Sequence, residues 1–188
     1  MMKYIDQALV FESDKIYYID EVGVQCQVMM DWEDSIMKAS ADYVCEGGGD
    51  ILEIGFGMGI SAGYIQANSI SSHTIVENHP QVIEKAKAWA EDKPNVTIVE
   101  GDWYEVKDSL STYDGIFHDT WGDINVHELV KELPGLTKLG AKATWWNNFT
   151  DTDDAFYTEG VTYQAIDVEP VDNTYFNSRV SYLPKKQF

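Results

Sequence analysis

The glycine-rich stretch Glu53-Ile-Gly-Phe-Gly-Met-Gly59 is the part of the chain whose residue types and spacing most directly indicate chemistry. Glycine has no Cβ, so the backbone there can turn sharply and approach a ligand without steric clash. The stretch falls between a short apolar run, residues 50–54, and a segment with helical periodicity that begins at Ile60. A glycine loop between a buried strand and a helix start binds nucleotide-like ligands. The loop therefore predicts a ligand site at the carboxyl end of this strand.

Two ligand classes use such a loop, dinucleotides and S-adenosylmethionine, and the spacing separates them incompletely. The strict G-x-G-x-x-G pattern fails when counted from Gly55, whereas the relaxed form ending in alanine fits at Gly57, Gly59 and Ala62. Glu53 favours S-adenosylmethionine, because a carboxylate there can pair with the ammonium group of that cofactor but would repel a pyrophosphate. A nucleotide, or a loop without a ligand, remains open as an alternative.

Acidic and aromatic residues follow the next predicted strands at positions where this cofactor would need them. Glu77 ends the second strand, where a carboxylate can accept both ribose hydroxyls. Asp102 follows the third strand and can accept the adenine amino group, while Trp103 can cover the ring; a core position is the alternative for Trp103. The predicted cofactor-binding residues in this part of the chain are Glu53, Gly55, Phe56, Gly57, Met58, Gly59, Glu77, Asn78, Gly101, Asp102, Trp103 and His118.

Strands and helices alternate from Asp50 onward, and this alternation must bring the site residues together. The predicted strands are residues 50–54, 72–76, 95–99, 113–118 and 141–146, and the predicted helices are residues 60–67, 80–91 and 126–133. Pro134 and Gly135 are expected to close the last helix. Such alternation indicates crossover units and a mainly parallel sheet with helices on both faces.

The two ends of the chain differ from this alternating region. Residues 161–168 and 174–183 are rich in Val, Ile, Tyr and Thr and are predicted to form an antiparallel hairpin at the sheet edge. Before Asp50, one helix is predicted at residues 32–45, preceded by less regular sequence. No repeat or linker is evident, so we expect one domain, 1–188. It would comprise an N-terminal segment (1–49), a cofactor-binding core (50–150) and a closing hairpin (151–188).

The composition narrows the possible partners. The chain has 188 residues, with 13 Lys plus Arg against 32 Asp plus Glu, and a formal charge of −19. With Arg179 as its single arginine, it lacks the basic surface that binds nucleic acid, and an anionic membrane would repel it. Cys26, Cys45 and the four histidines show no metal-ligand spacing. A reduced, cytoplasmic protein is expected, although a disulfide and the oligomeric state, monomer or homodimer, remain open.

Three blocks of the sequence resemble the guanidinoacetate N-methyltransferase family, which includes arginine methyltransferases acting at an internal guanidino nitrogen. The blocks are Val28-Met-Met-Asp-Trp-Glu33 followed by Met37, Leu52-Glu-Ile-Gly-Phe-Gly-Met58, and Ile116-Phe-His-Asp-Thr120. The similarity runs from about residue 24 to residue 150, and more loosely to residue 184. It implies a Rossmann-like, doubly wound sheet of seven strands and S-adenosylmethionine as methyl donor.

The resemblance also implies roles for individual residues. Met29 and Met37 would lie against the methionine and sulfonium end of the cofactor, and Glu33 and Asp119 would hold the guanidino group. At the far end of the substrate, the implied contacts are Thr120, Phe149 and Thr150. The N-terminal arm, which helps close the site in the family, is shorter in this chain.

Two carboxylates suit a guanidino acceptor on chemical grounds. A guanidinium has no free lone pair because its charge is delocalised; two carboxylates can localise the charge on the nitrogens they touch, and one can accept a proton. Alternatives for the two residues are a capping aspartate at Asp119 and a solvated glutamate at Glu33. The sequence thus predicts a guanidino N-methyltransferase acting on a small molecule, with guanidinoacetate the leading acceptor. Other amines, protein arginine, a catalytically silent cofactor-binding module and a nicotinamide-dependent enzyme are the alternatives.

Overall fold

The N-terminal region forms a three-stranded antiparallel sheet of β1 (Val10–Phe11), β2 (Lys15–Ile19) and β3 (Gln25–Met30). The computed structural model describes residues 3–121, 126–147 and 159–188. The expectation of irregular sequence before the first helix was wrong. Within β2 only Ile16 and Tyr18 are buried. The alternation of buried and exposed residues therefore extends over too few positions to be recognised in the sequence.

The main sheet has seven strands in the order β6-β5-β4-β7-β8-β10-β9. The first five strands of this sheet along the chain are parallel, and β10 pairs antiparallel with both β8 and β9, which confirms the predicted fold class. The strands are β4 (Asp50–Ile54), β5 (Ser72–Glu77), β6 (Val96–Glu100), β7 (Tyr113–His118), β8 (Thr137–Trp145), β9 (Val161–Asp167) and β10 (Val180–Gln187).

In the described residues, one α-helix precedes the first strand of the main sheet, and four more connect strands of that sheet. They are α1 (Asp34–Val44), α2 (Ile60–Gln66), α3 (Pro80–Ala90), α4 (Trp103–Val106) and α5 (Val126–Leu136). The predicted helix at residues 32–45 begins later than expected, because residues 31–33 form a separate 3₁₀ turn before α1. None of the helices in the described part of the chain is long and apolar enough to cross a bilayer.

Helix α5 continues through the residues that were expected to end it. Pro134 lies inside the helix, where its missing N–H removes one hydrogen bond to the preceding turn. Leu129, Leu133 and Leu136 are buried at spacings of four and three residues, so a further helical turn places Leu136 in the core. Burial of this third leucine offsets the lost hydrogen bond.

The second strand of the C-terminal hairpin begins six residues later than predicted, at Val180 rather than at residue 174. Residues 174–176 instead belong to the loop that joins β9 and β10. Asn173 causes this, since its side-chain oxygen accepts hydrogen bonds from the N–H groups of Tyr175 (3.0 Å) and Phe176 (2.7 Å). A side chain that bonds the backbone two and three residues onward favours a turn over a strand.

The strand order predicts a ligand site between β4 and β7. The chain moves outward from β4 to β6 and then returns to the opposite side of β4 as β7. Open α/β sheets bind ligands at such a reversal, outside the carboxyl ends of the strands. The segments that leave β4 and β7 at this edge begin with Gly55 and Asp119.

Replacing Leu136 by alanine tests the extension of α5 beyond Pro134. Because Leu136 is buried, we expect Leu136→Ala to lower the free energy of unfolding by about 2–4 kcal/mol, measured by urea denaturation. Leu139 is fully exposed, so Leu139→Ala serves as a control that should change stability by about 0.5 kcal/mol or less. Equal effects of the two substitutions would contradict this packing.

Candidate functional site

The glycine loop allows the ends of β4 and β7 to meet. Gly55 donates its N–H to the carbonyl of Val76 (2.8 Å), and Asp119 donates its N–H to the carbonyl of Ile54 (2.8 Å). Gly55 has φ +94°, and a Cβ on it would overlap the carbonyl oxygen of Asp119. Only glycine therefore fits where the loop crosses the end of β7.

The methionine sulfur of Met29 lies directly on the glycine loop. Met58 donates its backbone N–H to the sulfur of Met29 at 3.2 Å, and a Cβ on Gly57 would overlap the same sulfur. Met37 is fully buried and packs in the same apolar cluster as Met29. Met29 thus lies against the loop and Met37 lies in the apolar cluster that includes Met29, and a cofactor contact for either remains a prediction.

The carboxylate of Glu77 ties the loop to the end of β5. Its Oε2 accepts the N–H of Phe56 (2.9 Å), and its Oε1 accepts the N–H groups of Asn78 (2.9 Å) and His79 (2.8 Å). A carboxylate offers about four acceptor positions, so one remains on Oε2 for a ribose hydroxyl. This geometry leaves room for one ribose hydroxyl rather than the two that were predicted, so a ribose contact stays a prediction, and Glu77 also has a structural role.

Tyr4, in the N-terminal segment, lies at this end of the site. The ring of Tyr4 lies 4.9 Å from that of His79 and 5.1 Å from that of Trp121, centroid to centroid. Burial, followed by the charge of Glu77, raises the pKa of the Tyr4 hydroxyl. Tyr4 is therefore close to the carboxylate predicted to bind the ribose.

The residues predicted to hold the adenine have mainly structural contacts. Asp102 caps α4 by accepting the N–H of Tyr104 at 2.9 Å. Trp103 is buried and packs edge-on against the buried His118, with ring centroids 5.4 Å apart. Gly101 donates its N–H to the carbonyl of Glu77 at 2.9 Å. Core packing of Trp103 was one of its two predicted alternatives, and an adenine contact stays a prediction.

Glu53 is completely buried beneath the glycine loop. Its Oε1 accepts a hydrogen bond from the hydroxyl of Ser61, and its Oε2 lies 3.0 Å from Nε2 of His73, which is also fully buried. Sequence reasoning did not foresee these two partners. The hydrogen bond from Ser61 anchors the carboxylate that was predicted to attract the ammonium of the cofactor, whereas Oε2 and Nε2 of His73 are close but make no hydrogen bond with each other.

Glu33 and Asp119 come together across the ends of β3 and β7. Glu33 is 3% exposed, and its Oε1 accepts both the N–H of Met30 (2.7 Å) and the hydroxyl of Tyr175 (2.6 Å). Within the described part of the chain, Oε2 of Glu33 and both carboxylate oxygens of the half-buried Asp119 accept no hydrogen bond. Three acceptor oxygens thus remain for a ligand.

The electrostatics of this pair follow from burial and mutual repulsion. Burial, followed by the charge of Asp119, raises the pKa of Glu33 to about 8. Burial, followed by the charge of Glu53, raises the pKa of Asp119 to about 7. Among the described residues, no lysine or arginine forms an ion pair with Glu33, Glu53 or Asp119. Such a site favours a cation with several N–H donors, and a guanidinium has five.

These residues also fit S-adenosylmethionine. Its sulfonium and ammonium groups carry positive charge, which the three carboxylates at this sheet edge favour. The glycine loop passes closely over the end of β7, and Glu77 retains an acceptor position for a ribose. Several residues expected to hold the cofactor therefore lie at one edge of the sheet, and their contacts with it remain predictions.

Tyr175 is a site residue that sequence reasoning missed, because residue 175 was assigned to a strand. Thr120 is half-buried at the end of β7, next to Asp119. Phe149 and Thr150 lie outside the described residues. A separate open groove of about 390 Å³ lies between the β1–β2 turn and α3, and its lining includes Phe56–Met58 of the loop but neither Glu33 nor Asp119.

The sheet and the site define a Rossmann-like methyltransferase, and solved structures share this fold. The N-methyltransferase NodS from Bradyrhizobium japonicum aligns with a TM-score of 0.65 and 11% identity, covering 83% of this chain and 96% of that one. A methyltransferase structure complexed with S-adenosylhomocysteine aligns with a TM-score of 0.63 and 12% identity, covering 98% of this chain and 57% of that one. At such identities the likeness shows the fold alone.

Residues 12–129 match the guanidinoacetate N-methyltransferase family, and the chain belongs to it. Members of this family use S-adenosylmethionine as methyl donor. Protein arginine N-methyltransferase 2 of Candida glabrata is 31% identical over 100% of this chain and 51% of its own length. The same-named protein of Aspergillus fumigatus is 40% identical over 64% of this chain and 29% of its own length. The chain thus spans about half the length, or less, of these curated relatives.

Gly55→Ala tests the close approach of the loop to β7. The new Cβ would overlap backbone that cannot move away easily, so we expect a loss of about 3 kcal/mol or more in the free energy of unfolding. Gly63→Ala is the matched control on α2, where a Cβ meets no atom within 4 Å; it should stabilise by about 0.5–1 kcal/mol. Urea denaturation of both variants checks this, and a neutral Gly55→Ala would contradict the geometry.

Glu33→Gln tests the cost of burying this carboxylate. Folding raises its pKa from 4.5 to about 8, so its contribution to stability is present below pH 4.5 and is lost as pH rises through 8. At pH 9 we expect the variant to be more stable than the unmodified protein by on the order of 2 kcal/mol, with little difference at pH 4. Glu84→Gln, at a side chain 79% exposed, should show no such pH dependence in thermal unfolding. A pH-independent Glu33→Gln effect would contradict the raised pKa.

Proposed function

We propose that the chain is an S-adenosylmethionine-dependent N-methyltransferase whose acceptor is a guanidino group. The observation that carries this proposal is the pair of carboxyl groups formed by the buried Glu33 and the half-buried Asp119, with three oxygens that accept no hydrogen bond from the described residues. A planar guanidinium donates paired hydrogen bonds to carboxylates and neutralises their charge. Family membership supports the same acceptor chemistry.

The two carboxylates have distinct tasks in the proposed reaction. When bound, S-adenosylmethionine supplies a methyl group on a sulfonium, and its thioether leaves as the nitrogen–carbon bond forms. Glu33 and Asp119 hold two nitrogens of the acceptor and draw its positive charge toward them, which leaves electron density on the nitrogen that is methylated. That nitrogen releases a proton as its new bond forms. Asp119, with a pKa of about 7, is suited to accept it near neutral pH.

Two acceptors fit this chemistry. Guanidinoacetate, favoured by the sequence, carries a carboxylate that would need a cation or backbone donors. Arg179 forms no ion pair with the described residues. Its backbone carbonyl accepts a hydrogen bond from the N–H of Val168 (2.9 Å), so its backbone lies at the β9–β10 end of the sheet. An arginine side chain of a protein carries no such carboxylate, and the relatives are named protein arginine N-methyltransferases. We therefore favour protein arginine, with guanidinoacetate as the second candidate.

A methyl-transfer screen separates these acceptors and tests the class of reaction. Guanidinoacetate, an arginine-containing peptide and primary amines are each incubated with the protein and S-adenosylmethionine, and products are detected as a mass gain. We expect a product with a guanidino compound and none with the primary amines. Product from amines alone would overturn the guanidino assignment. Calorimetric binding of a nicotinamide dinucleotide but not of S-adenosylhomocysteine would overturn the cofactor.

Asp119→Asn distinguishes an enzyme from a silent cofactor-binding module. We expect turnover to fall roughly 100- to 10,000-fold, because the amide neither carries the charge nor accepts the proton. Affinity for S-adenosylhomocysteine should be retained. Asp108→Asn is the control, since its side chain is 93% exposed, and turnover should be unchanged. Unaltered methyl transfer by Asp119→Asn would remove Asp119 from the reaction.

A further inference from the structure

The loop between β9 and β10 is held in shape by one side chain. Besides accepting the N–H groups of Tyr175 and Phe176, Asn173 donates its side-chain amide to the carbonyls of Val171 and Phe176, both at 2.8 Å. All four bonds lie within residues 171–176, which we term the clasp. Its backbone is therefore fixed locally, before any contact with the rest of the protein.

The clasp is attached to the N-terminal half of the chain by polar and aromatic contacts. The hydroxyl of Thr174 donates to Oε1 of Gln27 on β3 at 2.7 Å. The ring of Phe176 stacks on Trp32 at 5.6 Å with 23° between the planes, and the ring of Tyr175 stacks on Trp32 at 5.8 Å and 27°. Trp32 directly precedes Glu33, so the clasp packs on the turn that carries this carboxylate.

The contact that matters for the site is the hydrogen bond from the Tyr175 hydroxyl to Oε1 of Glu33, at 2.6 Å. The N–H of Met30 donates to the same oxygen from the other element that packs on Glu33. With Oε1 held by two donors, the carboxylate can rotate little, and Oε2 is the oxygen left for a ligand. Two rigid elements, β3 and the clasp, thus determine where Oε2 lies.

We propose that Tyr175 is a positioning residue that orients Glu33 for the acceptor, so that the clasp sets the geometry of the guanidino site. This inference rests on the proposed function for its kinetic consequences. Its structural content, a hydrogen bond that orients and stabilises the Glu33 carboxylate, is independent of any reaction.

The charges around Glu33 agree with this role. Burial, followed by the charge of Glu33, raises the pKa of the Tyr175 hydroxyl, so it remains protonated and donates. The hydrogen bond from Tyr175 opposes the effects of burial and of Asp119 on the pKa of Glu33. Asp119 and Tyr175 are the titratable groups acting on Glu33 in the described part of the chain, and Glu53 acts in turn on Asp119.

Tyr175→Phe removes the hydroxyl and keeps the ring. In the ligand-free protein, carboxyl-carbon NMR of labelled glutamate, assigned with Glu33→Gln, should show the Glu33 titration shifted upward by about one pH unit. In the enzyme, the acceptor KM should rise about tenfold, and the acid limb of kcat/KM should move upward. Affinity for S-adenosylhomocysteine should stay within about twofold. Tyr43→Phe is the control, because the Tyr43 hydroxyl donates to the carbonyl of Lys186 at 3.0 Å, away from the site. In this variant the Glu33 titration and the acceptor KM should both stay unchanged.

A double-mutant cycle separates positioning from general destabilisation. If Tyr175 acts through Glu33, its substitution should have little further effect on KM in the Glu33→Gln background. An unshifted Glu33 titration, or additive effects on KM, would overturn the proposal. If Tyr175→Phe does not fold, Asn173→Ala, which loosens the clasp but keeps the hydroxyl, should shift the titration in the same direction, and no shift would again overturn it. Absence of methyl transfer by the unmodified protein, together with a shifted titration, would refute the proposed function while leaving the positioning contact intact.

Discussion

Repulsion among three carboxylates at one edge of the sheet is the constraint on which the site depends. The three carboxylates differ in the hydrogen-bond donors that hold them. Glu53 is anchored by a hydrogen bond from Ser61, and Glu33 is anchored by hydrogen bonds from Met30 and Tyr175. The side chain of Asp119 accepts no hydrogen bond from the described residues, so its negative charge is less stabilised than the charges of Glu33 and Glu53. The folded protein therefore holds a region of unfavourable electrostatics that a cationic ligand relieves, as expected where function limits stability.

The topology explains why these groups meet. Parallel strands present their carboxyl ends at one edge, and the reversal between β4 and β7 opens a crevice there. Gly55 lets the loop after β4 cross the end of β7, and the N-terminal sheet brings β3 and the turn that carries Glu33 over the same edge. Glu33, one of the two carboxylates that we propose bind the acceptor, thus comes from outside the parallel core, whereas Asp119 comes from within it.

Much of the parallel core could be predicted from the sequence, and the reasons are local. Strands β4 and β7 match their predictions residue for residue, because each is an apolar run with clear ends. The N-terminal sheet, the end of α5 and the start of β10 could not be predicted in the same way. Each depends on a tertiary effect, namely the half-buried pattern of β2, the burial of Leu136 and the turn held by Asn173.

The site residues likewise comprise some that could be predicted from the sequence and some that could not. Glu33 and Asp119 were predicted to converge, and the structure brings them close enough for the charge of Asp119 to raise the pKa of Glu33. Tyr175 bonds Glu33 across 142 positions of sequence, a separation at which residue spacing carries no signal. The proximity of His73 to Glu53 could not be predicted either, because the two residues lie on neighbouring strands, β5 and β4, and not close together in the sequence.

The raised pKa values of Glu33 and Asp119 have a calorimetric consequence. Near neutral pH these carboxyl groups are partly protonated, so binding of the guanidinium acceptor that we propose would displace those protons. The released protons are taken up by the buffer. The apparent enthalpy of acceptor binding should therefore vary with the ionisation heat of the buffer, and the slope of that dependence counts the protons released.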